Sequence, residues 1–221
     1  YKTTDMEQNL SKKTRTESDL IGSREVPESA LYGVQTLRGI ENFRISKFHL
    51  NEYPLFIQAL AITKMGAAVA NRELDLLTEE QADAILKACK EILEGKHHDQ
   101  FPVDMIQGGA GTTTNMNANE VIANRALELM GHERGEYQYC SPNDHVNCSQ
   151  STNDAYPTAI HIGMYFKHLQ LLPHLEELIA SFRKKGEEFS QIIKMGRTQL
   201  EDAVPMTLGQ TFNGFASILQ D

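Results

Sequence analysis

Cysteine is scarce in this sequence of 221 residues, and the spacing of the few cysteines matches no common disulfide or metal-binding pattern. The chain contains three cysteines, Cys89, Cys140 and Cys148, and no two of them form a CxxC pair. An odd and sparse set of this kind excludes a disulfide framework and argues against a zinc site built on thiolates. It is typical of free thiols in a reducing compartment, so we expect a cytoplasmic protein.

Long apolar runs and concentrations of positive charge are also missing. No stretch approaches the roughly 20 apolar residues of a membrane-spanning helix, and the formal net charge is -9. Basic residues gather only at Lys12–Lys13 and at Arg183–Lys185, whereas nucleic acid requires a basic face. We therefore expect neither a membrane protein nor a nucleic-acid-binding protein. The hydrophobic content of 40% is ordinary for a globular protein with a core.

Helical signals dominate the chain. The apolar stretch 54–74 predicts a buried helix. A capping box of Thr78 and Gln81, followed by apolar residues at helical spacing and then by Gly95, predicts a second helix. The stretch 115–130 predicts a third. Alternating strand patterns are nearly absent, so the sequence predicts a mainly α fold.

The stretches around these helices give weaker signals. Residues 1–19 are polar, and we expect them to be frayed or to form an arm. Residues 20–53 contain several turn formers, which predicts loops with brief strands. Further loops are expected at 95–114 and 132–156.

The last third of the chain is expected to be helical. A long helical region should begin near Pro157, and Pro173 and Gly186 should kink or divide it. The final stretch, TLGQTFNGFASILQD, has the pattern of an amphipathic helix without a glycine or proline terminator. We therefore expect the chain to be part of a longer polypeptide.

The first polar cluster, GGAGTTTNMNANE, covers 108–120 and places glycines and three threonines before a helix. Backbone N–H groups and hydroxyls at such an entrance can surround one anion. The simpler interpretation is that the glycines make a turn and one threonine caps the helix. No Gly-Lys-Ser/Thr follows and no strand pattern precedes, which excludes a P-loop and a dinucleotide fingerprint.

The second cluster is the run Ser151, Thr152, Asn153 and Asp154, just before Pro157. One short polar residue is enough to cap a helix, and a proline suits the first turn. The run therefore contains more polar side chains than capping requires. The surplus fits an anion held at a helix N-terminus, and on this stretch alone both interpretations stay open.

The third cluster, KMGRTQLEDAVPMTLGQ, covers 194–210. Arg197, Thr198 and Gln199 follow a helix-breaking Gly196, and a carboxylate pair, a proline and a new helix come next. Taken alone, this cluster is best interpreted as a polar loop between helices with a salt bridge.

Two other groups are weaker candidates. His97, His98 and Asp99 have no further Cys or His at a ligand spacing, so a solvated turn is favoured over a metal site. Asp144 and His145 would support base catalysis only if a serine met them in space. No nucleophile-elbow pattern accompanies them, and we interpret them as structural.

Taken together, the three clusters resemble signature regions of the aspartase/fumarase superfamily. The resemblance rests on GGAGTTTNMNANEVIANRALELMG, GEYQYCSPNDHVNCSQSTNDAYPT and KMGRTQLEDAVPMTLGQ, with SREVPESALYGVQTLRGIENF and DQFPVDMIQGGAGT upstream. These motifs are similar to those of bacterial aspartate ammonia-lyases. They imply an aspartase/fumarase-like fold, with a mostly helical N-terminal domain at 1–152 and the truncated start of a central long-helix bundle at 153–221.

Class II fumarases form the neighbouring branch of the superfamily. They typically carry Gly-Ser-Gly-Thr, Ser-Ser-Asn and Thr-His. At the matching positions this chain has Gly-Ala-Gly-Thr at 109–112, Ser-Thr-Asn at 151–153 and Thr-Gln at 198–199. All three differences favour the ammonia-lyase branch. Gln199 matters most, because an imidazole suited to handling water is replaced by an amide that cannot titrate. Some aspartases keep His there, so fumarate hydratase stays an alternative, as does a non-catalytic helical assembly module.

The resemblance implies reversible deamination of L-aspartate to fumarate and ammonia. Loss of the proton beside the β-carboxylate gives an aci-carboxylate with two negative charges, which requires preorganised donors. Matching residue by residue assigns Thr112, Ser151 and Thr152 to that carboxylate. No cofactor is required for this chemistry, and a divalent cation such as Mg²⁺ is expected only as an activator.

The same match implies contacts to the rest of the substrate. Asn153, helped by Thr112, would contact the amino group. Thr198 would contact the α-carboxylate, and Gln199 is a further candidate for substrate binding.

The third signature of the superfamily, a flexible Gly-Ser-Ser loop followed by Met-Pro, Lys and Asn, occurs nowhere in this sequence. In the family that loop supplies the serine base and a lysine that pairs with a substrate carboxylate, so no catalytic residue and no metal ligand is assigned here. Family active sites also combine three subunits of a homotetramer. The resemblance therefore implies an N-terminal portion of a homotetrameric lyase that is inactive alone.

Overall fold

The computed structural model describes residues 13–221 and is mainly helical, as predicted. The chain divides into two compact units, one ending at Met164 and the other spanning Tyr165–Asp221, and each is described by itself. The domain boundary placed between 152 and 153 stays a prediction. The elements are, in order, β1 Thr14–Asp19, β2 Gly22–Pro27, α1 Val34–Asn42, α2 Pro54–Glu73, α3 Glu79–Leu93, α4 Thr112–Leu129, α5 Thr152–Glu188, β3 Ile193–Thr198, β4 Glu201–Thr207 and α6 Leu208–Gln220.

The core of the first unit lies where α2, α3 and α4 pack together. Its fully buried side chains include Leu60 of α2, Ile85 of α3 and Ile122 of α4. Each apolar side chain of this size stabilises the fold by about 1.5–3 kcal/mol when buried. The core therefore fixes the position of α4, the helix that begins within the first polar cluster. Within residues 13–221, no helix combines the length and apolar character needed to cross a bilayer.

The helices predicted at 54–74 and after Thr78 are confirmed as α2 and α3. The Thr78 hydroxyl accepts a hydrogen bond from the Gln81 backbone N–H at 3.2 Å, and the Gln81 side chain accepts one from the Thr78 N–H at 3.2 Å. Gly95 follows with a φ of +89°, which glycine adopts at little cost. The local sequence specifies both ends of α3.

Helix α1 lies in the stretch 20–53, for which the sequence predicts loops with brief strands; β2 agrees with that expectation and α1 contradicts it. The start of α1 is capped from far along the chain. Glu120 of α4 accepts hydrogen bonds from the backbone N–H groups of Gly33, Gln35 and Thr36 at 2.7 to 3.0 Å. Because the cap comes from a residue 84 to 87 positions away, no local signal predicts it.

Strands β1 and β2 form an antiparallel hairpin. β1 overlaps the polar arm expected at 1–19, so that expectation is wrong for 14–19, and residues 1–12 lie outside the described residues. Both strands are short and largely polar, and they are held by pairing with each other. Without apolar alternation, the usual sequence signal for a strand is missing.

Helices α4 and α5 both begin earlier than the sequence indicates. α4 starts at Thr112 rather than at 115, and α5 starts at Thr152 rather than near Pro157. Pro157 therefore lies beyond the first turn of α5, where its missing N–H leaves the helix one hydrogen bond short. The predicted loops on either side of α4 contain short helical turns at His98–Gln100, Gly109–Gly111 and Pro142–Val146.

Helix α5 is continuous as far as Glu188, so the predicted division at Pro173 or Gly186 is wrong. Gly186 serves packing instead, because a Cβ there would collide with the side chain of Asn213 in α6. A glycine that makes room for a neighbouring helix gives the same sequence signal as one that ends a helix. Pro173 removes only one of the many hydrogen bonds of this long helix.

The second unit contains a hairpin where the sequence predicts a polar loop. β3 and β4 pair antiparallel, and the expected salt bridge is confirmed between Arg197 and Asp202 at 3.1 Å. α6 confirms the helix predicted at the end of the chain. Phe212 of α6 packs against Phe182 of α5 and against Phe189, the residue that follows α5, with ring centroids 6.0 and 5.5 Å apart. These rings hold the two helices of the unit together.

Candidate functional site

The first polar cluster forms a tight loop that leads into α4. Gly109, Ala110 and Gly111 have φ values of +71°, +51° and +87°, which suit glycine and strain alanine. No side chain of the cluster caps the helix, so the threonine cap considered from the sequence is wrong. Gln107 instead accepts a hydrogen bond from the Thr114 N–H at 2.8 Å.

Thr112 is the first residue of α4 and is exposed. Its hydroxyl donates to the Gly109 carbonyl at 2.6 Å. Because the hydroxyl proton is already used inside the loop, Thr112 Oγ1 can only accept further hydrogen bonds, through its lone pairs. This arrangement suits a ligand's ammonium group.

The second cluster lies at the start of α5, where the hydroxyls of Ser151 and Thr152 each accept a hydrogen bond from the protein. Ser151 caps the helix, since its Oγ accepts a hydrogen bond from the Asn153 N–H at 3.2 Å. Thr152 Oγ1 accepts one from the side-chain amide of Asn115 at 3.3 Å. In both hydroxyls the protein occupies a lone pair, which leaves the O–H proton available to a ligand. Ser151 and Asn153 are exposed and Thr152 is half-buried, so a ligand can reach them.

The starts of α4 and α5 lie side by side. Asn115 bonds to Thr152 across the two helices, and Gly111 lies against the ring of Tyr156, where a Cβ would collide with the ring carbons. Phe56 of α2 packs edge-on against the same ring, with centroids 5.7 Å apart. Two helix N-termini, each with partial positive charge, favour an anion here. The predicted site residues in this unit are Thr112, Ser151, Thr152 and Asn153.

A buried lysine lies behind these helix starts. Lys64 of α2 is 0% exposed, and its ammonium group donates to side-chain oxygens of Asn115, Asn147 and Gln150 at 2.8 to 2.9 Å. Three amide oxygens match the three protons of an ammonium group. All three partners are neutral, so the positive charge is solvated by dipoles rather than neutralised.

Burial changes the protonation of this lysine. It lowers the pKa of Lys64 from 10.5 to about 7, because the charged ammonium loses its solvation by water. The nearby Cys89 thiol is also buried, and burial raises its pKa to about 12. Cys89 is therefore an uncharged neighbour near neutral pH, where Lys64 gains or loses its proton.

Thr198 and Gln199 lie at the tip of the β3–β4 hairpin in the second unit. Thr198 ends β3 opposite Glu201, and Gln199 and Leu200 form the turn with φ values of +48° and +68°. Such turns favour Asn-Gly, so a turn of Gln and Leu gives no hairpin signal. Backbone strain of this kind concentrates at functional sites. The exposed Gln199 therefore stays a candidate for substrate binding.

Four residues of the first unit's site were missed by sequence reasoning. The one available signal was a lysine in the all-round apolar stretch 54–74, because lysine is almost never fully buried. Its partners lie 51 to 86 positions away along the chain, so no local pattern connects them. The missed residues are Lys64, Asn115, Asn147 and Gln150.

Asp144 and His145 do meet a serine, but without forming a catalytic triad. The Ser141 hydroxyl donates to Asp144 Oδ2 at 3.0 Å, while His145 Nδ1 accepts from the Ser141 backbone N–H at 2.7 Å. The imidazole therefore contacts the backbone of Ser141 rather than its hydroxyl. The structural interpretation of this group is confirmed.

The two adjacent histidines are each engaged with the chain. His97 Nε2 lies 2.7 Å from a Glu91 oxygen, and His98 Nε2 lies 2.9 Å from the Ile92 carbonyl. Both rings thus anchor the turn that follows α3. In the part of the chain that the structure describes, no three His, Cys, Asp or Glu side chains gather as a metal site.

A protein family described as "Lyase" matches this chain over residues 22–221. The match includes both helix starts of the site and the β3–β4 hairpin. The chain therefore belongs to this lyase family, as its resemblance to the aspartase/fumarase superfamily indicates.

Curated relatives match nearly the whole chain. It is 59% identical to an aspartate ammonia-lyase of Pseudomonas canavaninivorans over 207 residues, which are 94% of this chain and 44% of the relative. It is 54% identical to an aspartate ammonia-lyase of Escherichia coli (strain K12) over 213 residues, which are 96% of this chain and 45% of the relative. The chain thus spans less than half the length of these relatives.

Solved structures match the fold. A fumarate lyase:delta crystallin from Brucella melitensis bound to cobalt has a TM-score of 0.87 at 53% identity, covering 94% of this chain and 45% of that one. A class II fumarase from Schistosoma mansoni has a TM-score of 0.81 at 39% identity, covering 94% of this chain and 44% of that one. These likenesses confirm the mainly α, aspartase/fumarase-like fold.

Proposed function

We propose that this chain, continued to the length of its relatives, is an aspartate ammonia-lyase that converts L-aspartate to fumarate and ammonia. We call this longer protein the full-length polypeptide. Identities of 59% and 54% to proteins of that name support the proposal. The observation that carries it is the pair of hydroxyls on Ser151 and Thr152, each of which accepts a hydrogen bond from the protein and keeps its proton for an anion.

The chemistry requires donors of this kind. A base removes a proton from Cβ of aspartate, and the C–N bond then breaks with its electron pair leaving on ammonia. Between these steps the β-carboxylate carries two negative charges. Donors that are already oriented stabilise this charge without reorganising. The hydroxyls of Ser151 and Thr152, at the positive end of α5, are placed to do so.

Other predicted residues suit the remaining groups of the substrate. Thr112 gives its proton to Gly109, so its oxygen can accept from the substrate ammonium, and the exposed Asn153 amide offers a second acceptor. This orientation favours the amino-group role of Thr112 over its role toward the β-carboxylate. Thr198 is proposed to contact the α-carboxylate and Gln199 to contact the substrate, both on the family resemblance.

We propose that this chain binds substrate groups without catalysing the reaction alone. The serine loop of the superfamily has no counterpart in its sequence, so the base and the substrate-pairing lysine would come from the remaining length of the relatives. The full-length polypeptide would act as a cytoplasmic homotetramer. No cofactor is needed for this chemistry, and a divalent cation such as Mg²⁺ is proposed only as an activator, with no ligand assigned in this chain.

Fumarate hydratase is the second candidate function, because a class II fumarase shares the fold at a TM-score of 0.81. Gln199 argues against it, since an amide cannot titrate and so cannot take the proton of an attacking water. A non-catalytic assembly protein is disfavoured by the surplus donors at 151–153, which packing does not require.

The proposal is tested by supplying the full-length polypeptide with L-aspartate or with L-malate and following fumarate by its ultraviolet absorbance. We expect fumarate from L-aspartate, with an equal amount of ammonia, and hardly any from L-malate. Comparable rates with both substrates, or fumarate from L-malate alone, would overturn the assignment. The present chain by itself is the control, and we expect it to release no ammonia.

A further inference from the structure

The single proton of the Thr152 hydroxyl can serve a ligand only if it faces outward. A carboxylate or carbonyl behind the hydroxyl would draw the proton inward. The group behind it is instead the NH₂ of Asn115, with Nδ2 3.3 Å from Oγ1. An amide NH₂ donates and does not accept, so Thr152 accepts there and its proton turns to the open side.

The orientation of the Asn115 amide is itself determined. Its Oδ1 faces the ammonium of Lys64 at 2.8 Å, and an ammonium has no lone pair, so only the oxygen end of the amide can face it. Asn115 is 1% exposed and Lys64 is 0% exposed. Reversing the amide would set donors against donors where water cannot compensate, which buried polar networks do not tolerate.

Asn147 completes the arrangement. Its Oδ1 accepts hydrogen bonds from Lys64 at 2.9 Å, from Asn115 Nδ2 at 3.0 Å and from Asn119 Nδ2 at 3.2 Å. The NH₂ of Asn115 is therefore held between two acceptors, Asn147 Oδ1 and Thr152 Oγ1. Both of its protons have a fixed direction.

We propose that Asn115 is a positioning residue that turns the Thr152 proton toward the substrate carboxylate, and that Lys64 fixes the amide which does so. The inference rests on the proposed function, because it names the substrate's carboxylate as the acceptor. Asn115 is buried and acts only through Thr152. In its protonated form Lys64 places a positive charge behind the amide, and the neighbouring Cys89 thiol carries no charge that would cancel it.

The substitution Asn115→Asp separates positioning from structure. The carboxylate has the shape of the amide, and its pairing with Lys64 offsets the lost contact to Asn147, so the fold should be kept. Its oxygens accept but do not donate, so the Thr152 proton turns inward. We expect kcat for L-aspartate to fall by about tenfold to hundredfold in the full-length polypeptide, with the melting temperature retained. A merely structural role would lower activity only together with stability.

A double variant shows whether Asn115 acts through the hydroxyl. In a Thr152→Val background there is no proton to turn, so Asn115→Asp should lower kcat further by no more than about twofold. An equally large loss in both backgrounds overturns the proposal, and so does an unchanged kcat in Asn115→Asp alone. If the Asp variant is not recovered folded, Asn115→Ala enters the same cycle under the same two criteria.

The wild-type assay distinguishes this inference from the proposed function. A wild-type full-length polypeptide that releases no ammonia from L-aspartate would defeat the proposed function, and the positioning role with it. An active wild type beside an equally active Asn115→Asp variant would defeat the positioning role alone.

Discussion

The backbone of Gly111 lies against the ring of Tyr156 so closely that no side chain fits between them. Gly111 ends the loop before α4, and Tyr156 lies near the start of α5. This contact allows the two helix starts to approach, which brings Asn115 within 3.3 Å of Thr152. The φ of +87° at Gly111 also favours a residue without a Cβ.

Gly111→Ala should lower both the melting temperature and kcat of the full-length polypeptide. A Cβ in the left-handed conformation costs about 1–2 kcal/mol, and the collision with Tyr156 adds to that cost while forcing α4 and α5 apart. Thermal melting and fumarate absorbance measure the two effects.

Gly131→Ala is the matched control for that substitution. Gly131 has a φ of +83°, and a Cβ there would meet nothing within 4 Å, so this variant carries the backbone strain without the collision. We expect it to lose about 1–2 kcal/mol and to keep its kcat. Identical behaviour of the two variants would show that the contact between Gly111 and Tyr156 does not position the site.

Lys64→Met should change how stability depends on pH. The pKa of Lys64 is about 7 in the folded chain against 10.5 ordinarily, so between these values the unfolded chain binds more protons. The stability that Lys64 contributes therefore rises from pH 7 to pH 10.5 and is lost as the pH falls through 7. Methionine lacks this titration, so the wild-type free energy of unfolding should rise relative to the variant across this window. Urea melts at several pH values measure the difference, and parallel profiles would contradict the shifted pKa.

Glu120→Gln should loosen the start of α1. The carboxylate accepts hydrogen bonds from Gly33, Gln35 and Thr36, and a glutamine has one oxygen in place of two. Each buried donor left unpaired costs about 1–3 kcal/mol. Hydrogen exchange at these three amides should become faster, while α3, which is capped by its own Thr78, keeps its protection. Unchanged exchange in α1 would contradict the capping role of Glu120.

Elements with local signals could be predicted from the sequence. α3 carries its own cap at Thr78 and its own stop at Gly95, and both were predicted. α1 depends on Glu120, which is more than 80 positions away, so its start is invisible to local patterns. The same holds for β3 and β4, whose turn at 199–200 lacks the residues that normally mark a hairpin.

The candidate site divides in the same way. Ser151 and Thr152 were predicted because a run of short polar residues is visible in the sequence. Their support was not, because Lys64 and Asn115 meet across 51 positions and their pairing depends on burial. A surplus of donors can be counted along the chain, whereas the direction in which each donor points is a tertiary property.

Replacing Thr152 with valine removes one hydroxyl at nearly constant volume. Thr63→Val is the matched control, because Thr63 in α2 uses its hydroxyl on the Ala59 carbonyl at 2.9 Å. Measuring kcat for L-aspartate beside the melting temperature, in both full-length variants, tests most directly whether Thr152 donates to the developing negative charge. We predict that kcat falls by about a hundredfold or more in Thr152→Val, with a slightly lower melting temperature, and stays unchanged in Thr63→Val. An unchanged kcat and a lowered melting temperature in Thr152→Val would contradict the account and leave Thr152 with a purely local role in the helix.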